Sequence, residues 1–316
     1  MQTLNELLHA SSRTFAVGID LLPNPLRREV ETAYLLLRVS DYLEDNESME
    51  PPRKSELLEQ WARVLEGTEP VEALERAMGP AEEPTPDALV ARHVAQVTAA
   101  LEGLRPAALT VIVRHVREST LGMARWIRRG PDLADEDDLD DYMHEVAGRV
   151  GWLLTELFAL DIEHVSRRLT EMLTLGREFG LALQTVNVIR GLHSDWRRGW
   201  VYVPRSFGGK ELGIDSDREE RSLTQLVLKS ERHLESAKRY VLSLPRRHHG
   251  IRVFCILPYL FAVRTLAVSK NNRAVFREEV KIDRSEVLSI VRQARLFGWS
   301  NRWIEQYSAK LAEPFP

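Results

Sequence analysis

Residues 187–204 read NVIRGLHSDWRRGWVYVP, and the fold class is decided by how this run is read. Taken as a helix, it places Asn187, Gly191 and Asp195 at i, i+4 and i+8, on one face with a small angular drift. Such a face suits a hard cation, because magnesium takes oxygen ligands and bridges one or two carboxylates to substrate phosphates. The middle position is glycine and brings no oxygen. The residues alone therefore allow two readings, a metal face lacking a ligand or a polar helix end with a glycine cap.

Outward from this run, nearly every long segment repeats its apolar residues at helical rather than alternating spacing, which predicts an all-α fold. Asn24-Pro25 reads as a helix start, a capping residue followed by proline at the first helical position. That helix runs through ETAYLLLRVSDYLED and stops before Pro51-Pro52. Further helices are expected over residues 53–66, 86–104, 107–127, 138–160, 163–198, 218–242, 250–269 and 284–311. The breaks fall at GPAEEPTP (79–86), RGPDLADEDD (129–138), PRSFGGKELGIDSD (204–217) and LPRRHHG (244–250), none long enough for a flexible linker. One domain over residues 1–316, a helical bundle with a central cavity, is the simplest expectation.

Composition narrows the function. Of the 316 residues 44% are hydrophobic and 28% charged, as in a soluble globular protein, and a net charge of −4 leaves no basic footprint for nucleic acid. The single cysteine, Cys255, excludes an intramolecular disulfide framework and lies in the apolar run RVFCILPYLFAV, where core packing explains it. The amphipathic opening MQTLNELLHASSRTF has no signal-peptide pattern, and no run of eighteen or more apolar residues indicates a membrane span. A cytoplasmic protein is expected, one that touches at most a membrane surface. Nothing in the sequence fixes its oligomeric state.

The second acidic feature is YLLLRVSDYLEDN. Asp41 and Asp45 lie at i and i+4 with Glu44 beside them, near the end of a helix. Three acids there are unfavourable, because the helix dipole is negative at that end and like charges repel. A bound divalent cation would compensate, and AYLLLRVS just before is too apolar for a fully solvated face. Arg13, Arg38, Arg190, Arg197 and Arg198 supply the guanidinium forks that match phosphate. His193 reads as a packed or surface residue, His248 and His249 as a solvated turn. The tryptophans at 126, 152, 196, 200, 299 and 303 read mostly as core, with an apolar cavity wall as the alternative.

With both patches placed, the chain from about Ser12 to about Tyr307 resembles the squalene/phytoene synthase family. SSRTFAVGIDLLP is similar to the family's opening segment and YLLLRVSDYLEDN to its first aspartate-rich motif. DDYMHEVAGRVGWLLTELF is similar to its Tyr-x-x-x-Val-Ala-Gly-x-Val-Gly helix, LALQTVNVIR to the entry into the second motif, and NNRAVFREEVKIDRSEV to a late segment. The resemblance implies an isoprenoid synthase fold and a magnesium-dependent prenyltransferase that joins prenyl diphosphates such as farnesyl diphosphate head to head. It implies Asp41, Asp45 and Tyr142 as catalytic residues and Asp41, Glu44, Asp45, Asn187 and Asp195 as magnesium ligands. Substrate contacts follow at Arg13, Phe15, Arg38, Leu183, Gln184, Arg190, Arg198 and Tyr202. The expected partners are the prenyl diphosphate and, for release of a lipid product, a membrane surface. Use of NADPH is not legible, since NADPH-using members need no glycine-rich fingerprint.

The sequence departs from the family pattern in one place. In the second motif, Asn-x-x-Arg-Asp-x-x-Glu-Asp, Gly191 replaces the first acid and Ser194 the glutamate, and Trp200 replaces an arginine of the tail that follows. Two hypotheses stay open. One is an active enzyme with a reduced metal complement, including altered outcomes such as cyclisation or transfer to another acceptor. The other is a family member that has lost catalysis and serves in binding or assembly.

Overall fold

The computed structural model describes residues 2–209 and 216–313, apart from the side chains of Arg13 and Ser216. Among the described residues there is no strand, and the all-α expectation holds. In order, the helices are α1 Leu4–Ser11, α2 Arg13–Ile19, α3 Leu26–Asp45, α4 Pro51–Glu66, α5 Val71–Met78, α6 Pro86–Ala91, α7 Val94–Ala99 and α8 Pro106–Arg129. There follow α9 Glu136–Met143, a π-helical turn at His144–Gly148, α10 Arg149–Asp161, α11 Glu163–Arg167, α12 Leu169–Arg197, α13 Ser216–Ser243, α14 His249–Ser269, α15 Arg284–Phe297 and α16 Asn301–Ala312.

Contacts gather the chain into two compact units. One holds residues 1–130 and 152–169, the other 131–151 and 170–316, so the boundary falls within α10 and at the start of α12. The first unit is built on α3, which packs against α1, α4, α6, α7 and α8. Its buried residues Leu26, Val30, Ala33, Leu36, Ser40 and Leu43 recur at helical spacing. Ser40 Oγ lies 2.7 Å from Thr120 Oγ1 and accepts from Trp61 Nε1 at 3.2 Å, so these three buried groups of α3, α8 and α4 satisfy one another. The buried carboxylate of Glu29 takes a two-pronged grip from Arg105, at 2.6 and 2.7 Å.

The second unit is built on α14, which is long and apolar enough to cross a membrane by length and composition but has 89% of its apolar window buried. It packs against α13, α15 and α16, so burial within the unit accounts for its composition. Cys255 is buried there, as expected. Arg252, also fully buried, donates to the carbonyls of Val241, Leu244 and Gly298 and to Asn301 Oδ1, fastening the end of α13 to the α15–α16 turn.

Several boundaries differ from the sequence reading. The helix after Asn24 begins at Leu26 with Pro25 as its N-cap, one place later than expected and without a side-chain cap. Pro51 and Pro52 start α4 rather than precede it, as proline tolerates the first helical turn. Residues 86–104 divide into α6, α7 and a 3₁₀ turn at Ala100–Gly103, and the 163–198 stretch breaks at Arg168. The final helix breaks at Gly298, where Ser300 caps a new start by accepting from Trp303 N at 3.2 Å. Helices α1, α2 and α5 went unforeseen, although Thr3 and Glu6 form a capping box. Trp196 and Trp299 are exposed rather than core. The turn read at 204–217 lies partly outside the described residues.

Candidate active site

In the first unit, α3 carries Arg38, Asp41, Glu44 and Asp45 on its last turns. Arg38 Nη1 donates to Asp41 Oδ2 at 2.8 Å, and the guanidinium carbon lies 5.6 Å from the centre of the Tyr34 ring. Arg38 Nε is also 2.7 Å from Asp87 Oδ1, an ion pair whose N–H is not aimed at the oxygen. Burial raises the Asp41 carboxyl above its usual range despite the pull of Arg38, with Asp87 adding to the rise. Burial likewise raises Asp87, opposed by Arg38 and reinforced by Asp45. The sequence reading missed Asp87 because an acid in the first turn of a helix, after the Thr85 cap and Pro86, already has a structural explanation.

The unfavourable helix end has partners from the chain itself. Arg38 meets Asp41, and Lys54 Nζ donates to the carbonyl of Glu44 at 2.7 Å, inside the terminal turn. Nearby, the exposed Phe15 ring lies 5.9 Å from Tyr34. Arg13 is the first residue of α2, and its side chain lies outside the described residues.

In the second unit, glycines place Tyr142 and the second motif. A Cβ on Gly151 would sit 1.9 Å from the carbonyl oxygen of Gly176, and one on Gly180 would sit 2.3 Å from that of Ala147. Gly151 of the Val-Ala-Gly-x-Val-Gly segment and Gly180 of α12 thus let the two backbones touch directly. Thr185 Oγ1 adds a contact to Met143 Sδ at 3.3 Å. Tyr142 is buried and stacks on Tyr202, centroids 4.5 Å apart and planes 15° from parallel. Trp200 lies against the other partner of that stack, 6.3 Å from Tyr202. The residue that departs from the family's arginine thus extends an aromatic row containing two retained tyrosines.

Along α12, Leu183 and Gln184 are half-buried, and Gln184 Oε1 accepts from the exposed Asn187 at 3.3 Å. Arg190 faces Glu279 at 3.3 Å, and His193 Nδ1 lies 3.1 Å from the Phe276 carbonyl, so the 276–279 segment clasps the end of α12. This gives His193 the packing role expected for it. Asp195 pairs with Arg198 at 2.5 Å. A Cβ on Gly191 would meet Asp195 Oδ2 at 2.8 Å, so the carboxylate leans over the glycine where the family has an acid.

Beside Tyr142 lies a charge network that the sequence reading did not see. Lys229 Nζ, almost fully buried, is 2.5 Å from Asp140 Oδ1 and 3.0 Å from Glu136 Oε1. His233 Nδ1 is 2.6 Å from Glu178 Oε2, with its Nε2 3.6 Å from Asp140 Oδ1. Burial opposes protonation of His233, but the nearby Asp140 carboxylate and the hydrogen bond to Glu178 outweigh it and raise its pKa. The residues come from α9, α12 and α13, so no single sequence window contains the pattern.

The predicted residues thus form two sets. Arg38, Asp41, Glu44, Asp45 and Phe15 belong to the first unit, while Tyr142, Leu183, Gln184, Asn187, Arg190, Asp195, Arg198 and Tyr202 belong to the second. Among the described residues no three His, Cys, Asp or Glu side chains are gathered as a ready ligand set. Magnesium does not require one, since it commonly takes one or two carboxylates and completes its shell with phosphate and water. Asp41 and Asp45 on successive turns of α3 fit that donor set. The end of α12 offers a single carboxylate, already paired.

The sequence model of the squalene/phytoene synthase family matches residues 8–286. The chain belongs to that family. It is 28% identical over 325 aligned positions to squalene synthase of Bos taurus, covering all of this chain and 75% of that one. To squalene synthase 1 of Arabidopsis thaliana it is 29% identical, over 90% of this chain and 69% of the relative. The solved complex of TcSQS with the ligand BPH1237 superposes with a TM-score of 0.80 at 25% identity, covering 98% of this chain and 90% of the other. The isoprenoid synthase fold follows, and the chain is a head-to-head prenyltransferase of squalene/phytoene synthase type.

Proposed function

We propose that this prenyltransferase uses magnesium and condenses farnesyl diphosphate, or a prenyl diphosphate of similar length, to a squalene-type product with release of diphosphate. The observation that carries the reading is the end of α3, where Asp41 and Asp45 stand one turn apart with Arg38 held at 2.8 Å from Asp41. Magnesium, when bound, would supply positive charge that makes diphosphate a better leaving group. Asp41 and Asp45 would hold the metal. Arg38 is a second cation on the same helix and its fork matches phosphate oxygens, so it would orient the leaving group. The second unit contributes a row of aromatic side chains, Tyr142, Tyr202 and Trp200, a residue class suited to stabilising a carbocation.

The test is incubation with magnesium and farnesyl diphosphate, measuring pyrophosphate and extractable lipid with and without NADPH. Release above an Asp41→Ala/Asp45→Ala control is expected, and its absence overturns the enzymatic reading of this site. A thirty-carbon lipid supports head-to-head coupling. Release without it moves cyclisation, hydrolysis or transfer to another acceptor ahead.

A second reading rests on the end of α12. With Gly191 in place of an acid and Asp195 paired to Arg198, that half of the pattern is weakened. The chain would then carry out the first ionisation and stop early. Accumulation of a product that keeps one diphosphate, with one pyrophosphate released per two substrates, distinguishes this outcome.

A further inference from the structure

The outer face of α15 and the turn after it combine two features seldom left in water together. Leu288, Leu296 and Trp299 are 61%, 59% and 53% exposed. Arg292 and Arg295 are exposed at helical spacing among them. The opposite face holds the buried Ile290 and Ala294 and packs on α14, so the outer stripe is not a core face turned the wrong way. Exposed Arg302 opens α16 just beyond.

The charge on this face is one-sided. From Val287 to Ile304 the sequence has three arginines and no acid, in a chain whose acids outnumber its lysines and arginines, 47 to 43. The acid just before this stretch, Glu286, is engaged with Arg264 at 2.8 Å. A second acid-free run, Leu244–Val253, lies alongside, because the His249 ring approaches the Arg295 carbonyl at 2.8 Å and Arg252 donates to that of Gly298 at 3.1 Å. It adds exposed Arg246 and Arg247. None of Arg246, Arg292, Arg295 and Arg302 pairs with a carboxylate among the described residues, and Arg292 and Arg295 at i, i+3 repel.

We propose that this face docks on an anionic phospholipid surface, with Leu288, Leu296 and Trp299 entering the headgroup boundary and the arginines meeting lipid phosphates. Large apolar side chains interleaved with arginine are the composition of interfacial helices. Each basic residue near an anionic leaflet adds attraction that decays within a Debye length. A soluble polyanion would explain the arginines but not the protruding leucines. A second copy of the chain would bring the same positive charge against itself.

The experiment is co-sedimentation of the full chain with vesicles of phosphatidylcholine alone or with roughly one-third phosphatidylglycerol, at about 0.1 M salt. Binding to the anionic vesicles is expected. The triple variant Arg292→Glu/Arg295→Glu/Arg302→Glu should lose at least about tenfold in binding, and Leu296→Ser/Trp299→Ser a comparable factor. Melting by circular dichroism, unchanged because all these side chains are exposed, shows that both variants fold. Wild-type protein left in the supernatant with anionic vesicles, or variants that sediment as wild type does, overturns the proposal. So does binding to polyphosphate without binding to vesicles, or a solution dimer that the Leu296→Ser/Trp299→Ser variant disperses without vesicle binding.

Discussion

The ends of α3 and α12 carry the two aspartate-rich motifs of the family, and they are built in different ways. At α3, Asp41, Glu44 and Asp45 are all present, and the crowding of acids is relieved by Arg38 and by Lys54 on the Glu44 carbonyl. At α12, Gly191 and Ser194 remove two acids, Asp195 leans over the vacated position, and Arg198 holds it there. Around α12 the lost charge coincides with aromatic and backbone contacts, namely the Tyr142–Tyr202 stack with Trp200 and the clasp of the 276–279 segment. One motif keeps its acids and supplies counter-charges, while the other has shed acids and retains its scaffold.

The largest effect that would test this contrast is at α3. Asp41→Ala/Asp45→Ala should lower pyrophosphate release by at least about a hundredfold, the scale of removing groups that stabilise developing charge. If the same loss instead follows Asp195→Ala alone, the contrast is reversed. Next comes the scaffold of α12. Gly151→Ala forces a Cβ against the Gly176 carbonyl, which is backbone and cannot swing away. A loss of about 2–3 kcal/mol is expected in urea unfolding, and an unchanged midpoint would mean that the close crossing is dispensable.

Gly191→Asp sharpens the comparison by restoring an acid. The new Cβ meets only the far end of the Asp195 side chain and no backbone, so the protein should fold, and half-maximal activity should need about tenfold less magnesium. An unchanged magnesium dependence would show that this face does not hold the metal. A smaller effect is expected at Asp87→Asn, which removes the second carboxylate beside Arg38. KM should rise roughly threefold with kcat nearly constant, whereas a fall in kcat alone would place Asp87 elsewhere in the reaction.

The smallest effect concerns the network around Lys229 and His233. Folding raises the His233 pKa, so its contribution is complete below the ordinary value of 6.5 and disappears as pH rises through the higher folded value. Folding lowers Asp140, because the neighbouring His233 and Lys229 outweigh burial, and Glu178, because its hydrogen bond to His233 does, so their contribution is present above 3.8 and 4.5 respectively and disappears as pH falls through the lower folded values. The network should stabilise most between about 4.5 and 6.5, and His233→Gln should flatten the decline above that range, changing the melting temperature by roughly one or two degrees. A wild-type melting temperature that does not fall as pH rises above about 6.5 would break the assignment.

Sequence alone determined the all-α class and the family, because helical periodicity and short motifs are local properties. Asp41 and Asp45 at i, i+4 share a face on any helix, and the gap at Gly191 is visible as a missing letter. Only the tertiary structure decided which partners those residues have. Asp87 reaches Arg38 from another helix, and Glu279 reaches Arg190 from a segment far along the chain. The reason for Gly151 and Gly180 appears only when the 147–151 segment and α12 lie against each other. Helix ends were poorly legible for the same reason: Pro51, Arg168 and Gly298 each permit more than one continuation, and packing selects among them. Ion pairs and backbone contacts form between residues brought close by the fold, and proximity in space is what a linear pattern does not encode.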